Sequence, residues 1–76
     1  MTGNTDLSRG NVQYLTKREK EVLILVEKGL LSKEISTFLR ISIHTVNTHR
    51  QKILEKLNAN NSFEAIILAR QKGILS

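Results

Sequence analysis

The chain is expected to be all-α, a four-helix bundle containing a helix-turn-helix, and three observations predict it. Four segments carry apolar residues at helical spacing, each behind a residue suited to cap a helix. Proline is absent from the 76 residues and only one Tyr and two Phe occur, which suits a compact helical chain. The second and third segments are separated by about three residues, too few for two helices to lie side by side, so they should cross steeply.

The first fourteen residues, "MTGNTDLSRGNVQY", scatter Gly and Asn among polar residues without a period. They read as a flexible lead-in or interdomain linker, leaving residues 15–76 as the one folded domain. The first helix starts in "LTKREKEVLILVEKGL", where Thr16 can cap and Glu19 return the bond, a capping box. Val22, Leu25, Val26 and Gly29 share one side, and Gly29 ends the helix. Ser32 is the expected N-cap of the second helix, with Lys33 and Glu34 in its first turn and Ile35, Phe38 and Leu39 as its apolar face. Ser36, small and mid-helix, either permits a close helix crossing or is an ordinary solvent-facing serine. That helix should end near Arg40, with Ile41 turned inward and Ser42 capping a third helix from Ile43 to Leu57. "NANNS" at 58–62 reads as a loop, Asn61 or Ser62 as the next cap, and Gly73 as the end of a fourth helix.

The third helix carries the functional signal. With Val46 at zero, Ile53 and Leu57 fall within about 20° of it at 100° per residue, and Leu54 near ~80°. That stripe should pack on the first two helices. Across the cylinder, from roughly 100° to 240°, come Asn47, Gln51, His44, Glu55, Thr48 and Lys52. Amides and hydroxyls of short reach suit base edges, Asn and Gln being able to pair bidentately with adenine, and Thr to meet a thymine methyl. Lysine suits phosphate or guanine. Arg50 falls at about 40°, so its stem must cross apolar neighbours before the guanidinium emerges. A phosphate contact is its first reading; a base contact, a surface position or an ion pair are the alternatives. His49, at about 300° on the boundary of the two faces, reads as a positioning residue or as a histidine bonded within the protein. His44 and His49 lie ~140° apart, and neither cysteine nor clustered carboxylate completes a metal site around them.

Composition narrows the classes. Twelve Lys and Arg against seven Asp and Glu leave a net charge of +5, which favours an anionic partner. Cysteine is absent, so disulfides and thiolate metal sites are excluded. No apolar run reaches the length of a membrane span, and a cytoplasmic location is expected. No Ser-His-Asp or paired-carboxylate arrangement can be placed on the elements, and a bundle this small has little room for a pocket. An enzyme, a cofactor or a small-molecule ligand is therefore not expected. The aromatic residues that single-strand and RNA binders use for stacking are missing from the basic face.

Taken in order, "LTKREKEVL" at 15–23, "GL" at 29–30, "KEI" at 33–35, Leu39, "IS" at 41–42, "TV" at 45–46, His49, Ile53, "KL" at 56–57, "EA" at 64–65, Ala69 and Gly73 resemble the LuxR/FixJ/NarL-type (GerE-type) helix-turn-helix domain of bacterial transcription regulators. The resemblance implies a winged-helix-like superfamily fold without a wing, acting as the output domain of a response regulator or similar sensor-regulator. The third helix, 43–57, would enter the major groove of double-stranded DNA. Asn47, Thr48 and Gln51 match the groove-facing positions, and Lys33, Thr45 and His49 those that contact or support the backbone; Arg50 and Lys52 join the backbone set from the helical-wheel reading. The fourth helix would pair two copies on a two-fold operator, through Phe63, Ile66, Ile67 and Arg70, and RNA polymerase would be a further partner. Four positions depart from the family: Asn47 stands where Lys is common, Arg50 where an aliphatic residue is usual, Leu31 for Ser and Ser62 for Arg. The rival reading is a protein-interaction module, because Phe63, Ile66, Ile67, Leu68 and Ala69 make the fourth helix apolar on more than one side.

Overall fold

The computed structural model describes residues 15–76; the segment read as a lead-in, residues 1–14, lies outside the described residues. Four helices follow in order: α1 Lys17–Glu27, α2 Ser32–Leu39, α3 Ile43–Leu57 and α4 Ser62–Gln71, and the described residues contain no strand. The fold is the all-α one that periodicity and capping predict. Helix α3 is central, packing on α1, α2 and α4, while α1 also touches α2 and α4.

Local chemistry sets most of the boundaries. Thr16 Oγ1 accepts from the Glu19 N–H at 3.1 Å and Glu19 Oε1 accepts from the Thr16 N–H at 2.9 Å, closing the expected capping box. Ser42 caps α3 by accepting from the Thr45 N–H at 3.0 Å. Asn61, rather than Ser62, caps α4, its Oδ1 accepting from the Glu64 N–H at 2.8 Å. Gly29, at φ +95°, closes α1: its N–H bonds the Val26 carbonyl and the Leu30 N–H that of Leu25, a pair of bonds that satisfies two of the carbonyls left free in the last turn. Arg40 and Asn58 close α2 and α3 in the same left-handed region, at φ 60° and 55°, without a glycine's freedom.

Two expectations for α2 are corrected. Ser32 is not the N-cap: Leu31 occupies that position and Ser32 is the first helical residue. Leu31 has no side-chain oxygen to offer, so only the return bond forms, from the Leu31 N–H to Glu34 Oε1 at 2.7 Å. Phe38 does not share the buried face of Ile35; it is 69% exposed. The reason is rotational. The buried arc of α2 runs from Ile35 through half-buried Leu39 to Ser36, and Phe38 lies about 60° beyond the other edge of Ile35. Ser36 is buried, and its hydroxyl donates back to the Lys33 carbonyl at 2.7 Å, so it takes little room where α2 faces the bundle.

The core is small and apolar: Val22, Leu23, Leu25, Ile35, Val46, Ile53, Leu57, Ala65, Ala69 and Leu75. Val46, Ile53 and Leu57 are the α3 stripe read from periodicity, and all three are buried. One carboxylate is buried with them. Glu19 is 2% exposed, and its Oε1 also takes the Lys56 ammonium at 2.8 Å from the last turn of α3. Burial alone would push this carboxyl up. The bonds from Lys56 and from the Thr16 backbone and hydroxyl outweigh that and hold it below its ordinary value of 4.5. One residue therefore caps α1 and pins it to the far end of α3.

Candidate nucleic-acid interface

Burying Val46, Ile53 and Leu57 turns the opposite side of α3 outward. Asn47, Thr48, Gln51 and Lys52 are all exposed, as is His44 one turn earlier. These five occupy the side of the helix that the core stripe leaves free. Lys33 is exposed in the first turn of α2, and Thr45 is half-buried in the first turn of α3, where its Oγ1 accepts from the Ser42 hydroxyl at 2.9 Å. The free N–H groups of that turn and the Lys33 ammonium give this end of the helix pair positive character. Gln51 is drawn along the helix, its Nε2 donating one N–H to Glu55 Oε2 at 3.3 Å, which leaves its carbonyl oxygen and its second N–H for other partners.

His49 is half-buried, and its Nδ1 is shut off from solvent with no hydrogen-bond partner among the described residues. A ring N–H placed there would be stranded, so in the neutral ring the proton belongs on Nε2, making that nitrogen the donor.

Arg50 is half-buried and turned toward the protein. Its Nη1 donates to Ser32 Oγ at 3.0 Å and its Nη2 to Ser62 Oγ at 2.9 Å. Ser32 Oγ in turn lies 2.9 Å from Asn47 Oδ1 and donates to it. One guanidinium thus joins the first turns of α2 and α4 to the exposed face of α3. The two serines are the residues that sequence reasoning missed, since both carried signals for helix caps. The clue was the place of Arg50 beside the apolar stripe, where a guanidinium must find partners.

On α4, Phe63 is 74% exposed and Ile67 39%, while Ile66 is half-buried. Arg70 reaches across to α1, its Nε donating to Glu27 Oε2 at 3.0 Å. Among the described residues no group of His, Asp or Glu stands close enough together to hold a metal ion, and no helix is long and apolar enough to cross a membrane.

A capped helix with an exposed face of amides and hydroxyls, set behind a short helix and a three-residue turn in a basic bundle, defines a helix-turn-helix regulatory domain. The comparisons with known proteins name the family. Residues 13–69 match the family described as bacterial regulatory proteins, luxR family, and the chain belongs to it, as a DNA-binding domain of transcription regulation. It is 43% identical over 60 residues to the response regulatory protein YgeK of Escherichia coli, itself uncharacterized, covering 79% of this chain and 41% of that one. It is 40% identical over 63 residues to the response regulator protein VraR of Staphylococcus aureus, and equally to that of Staphylococcus saprophyticus. Those matches cover 83% of this chain and 30% of theirs. The chain thus spans less than half the length of these curated relatives.

Proposed function

We propose that the domain binds double-stranded DNA sequence-specifically, with α3 in the major groove. The observation that carries this reading is the outward face of α3, where Asn47, Thr48 and Gln51 stand exposed opposite buried Val46, Ile53 and Leu57. Side chains of that chemistry, projected from a rigid helix, match the donor and acceptor edges of the B-form major groove. Lys33, Thr45, His49 through Nε2, and Lys52 hold the sugar-phosphate backbone on either side. Arg50 adds its charge to the same flank from behind its serine partners. These contacts set register and attraction, and the three groove residues set sequence.

Two copies meet through α4 on a two-fold site. Phe63 and Ile67 supply exposed apolar area, Ile66 the edge of the core, and Arg70, already paired with Glu27, the polar rim. The names of the relatives support a place within a response regulator; there the domain is the output domain, working in the cytoplasm without catalysis, with RNA polymerase as a further contact. The exposure of Phe63 and Ile67 equally favours a second reading, in which α4 binds a different protein and DNA contact is secondary. Selection of bound duplexes from random DNA tests the proposal. Enrichment of one motif with two-fold symmetry is expected, and a pool that stays random after repeated rounds overturns it.

A further inference from the structure

The hydrogen bonds around Arg50 run in one direction. A guanidinium can only donate, so Ser32 Oγ accepts from Nη1, and its own proton is free to go to Asn47 Oδ1. Accepting from a cation polarises that hydroxyl and makes it a better donor to the amide. We infer that Arg50 is a positioning residue for base reading, which acts through Ser32 to hold the Asn47 carboxamide with its oxygen toward the protein and its NH2 toward DNA. This inference rests on the reading of α3 as the groove helix.

The consequence is a change in what Asn47 reads. A free asparagine offers oxygen and NH2 together and pairs bidentately with adenine. With Oδ1 held by Ser32, two N–H donors remain, and the base edge that matches two donors is guanine, with O6 and N7 both acceptors. The other end of the guanidinium strengthens the arrangement. Nη2 is held by Ser62 in the first turn of α4, so the plane of the fork is fixed from two sides. A lysine, a point charge on a flexible stem, could not hold both hydroxyls in one geometry. Three of the positions that depart from the family pattern, 47, 50 and 62, thus meet in one network, with Ser32 between them.

The test measures binding of the folded domain to its selected site and to that site with each base pair changed in turn. Asn47→Ala should relax one position, at which guanine is preferred. Ser32→Ala and Arg50→Leu should relax that same position, by about 10-fold, and add nothing further when combined with Asn47→Ala. Ser32→Thr, which keeps the hydroxyl, should restore the preference. If Arg50→Leu lowers thermal stability, Ser32→Ala carries the test alone. A simple phosphate contact gives a different pattern: Arg50→Leu weakens every duplex equally and flattens the salt dependence while Ser32→Ala is silent, and that overturns the inference. Relaxation by Asn47→Ala with no effect of Ser32→Ala also overturns it but leaves base reading by α3 standing. If Asn47→Ala relaxes no position, base reading by Asn47 falls and the inference with it.

Discussion

Replacing Glu19 probes how α3 is held. Its Oε1 serves two donors, the Thr16 N–H that starts α1 and the Lys56 ammonium that ends α3. Glu19→Gln keeps an oxygen for both but removes the charge. Since a charge-assisted hydrogen bond is roughly twice as strong as a neutral one, the loss should be about 1–2 kcal/mol. Glu19→Ala removes both bonds. Loss of the cap's return bond costs ~1 kcal/mol and loss of the charge-assisted bond from Lys56 a further ~1.5–3 kcal/mol. Lys56 remains 27% exposed at its side chain, so its ammonium can swing into water. That keeps the total near ~2–4 kcal/mol, toward the lower end of the ~3–5 kcal/mol lost on breaking a fully buried pair. At ~4–8 °C per kcal/mol for a domain of this size, Glu19→Gln should melt roughly 5–15 °C lower. The pH dependence gives a second handle. The folded carboxyl titrates below 4.5, so its contribution is fully present above that pH and is lost as pH falls through the lowered value. Thermal melts between pH 7 and pH 3 should show the wild type converging on Glu19→Gln at the acid end. Equal stabilities at pH 7, or parallel curves throughout, would refute the pinning role.

Three further outcomes are expected. Lys52→Ala should weaken binding about equally on all duplexes and reduce the slope of log affinity against log salt by roughly 0.9, the contribution of one phosphate; an unchanged slope removes Lys52 from the backbone contacts. Sedimentation should find two copies on a full two-fold site and one on a half site, and Ile67→Asp should remove the second copy from the full site while leaving the half-site complex intact; equal stoichiometry on both sites rules out pairing through α4. Arg40→Gly should raise stability by ~0.5–1 kcal/mol in a thermal melt, because Arg40 holds φ 60° where glycine is unstrained; a lower melting temperature would mean that the side chain holds the turn.

Much of the fold was legible because its signals are local. Thr16 with Glu19, Ser42 with Thr45 and Asn61 with Glu64 are bonds across three residues, and a helix start is decided within its first turn. The stripe of Val46, Ile53 and Leu57 needs only a period. What escaped depends on partners far along the chain. Ser32 reads as a cap, yet its hydroxyl is engaged by residues 15 and 18 positions further on, and the cap passes to Leu31. Glu19 was legible as half of a capping box but not as the partner of Lys56, 37 residues away. Phe38 fits an i, i+3, i+4 pattern with Ile35 and Leu39, and only the packing of α2 decides which edge of that arc is covered. The site divides the same way: the exposure of Asn47, Thr48 and Gln51 follows from periodicity, whereas the inward turn of Arg50 does not.

The central claim is that α3 reads bases through its exposed amides, and the specificity ratio of Asn47→Ala and Gln51→Ala tests it most directly. Each variant is titrated with the selected duplex and with random duplex, alongside a thermal melt. Both should keep the wild-type melting temperature, since neither side chain is buried. Each should lose ~1–3 kcal/mol on the selected site and almost nothing on random DNA, narrowing the gap between the two. If both variants keep the full ratio, these amides do not read bases and the claim fails.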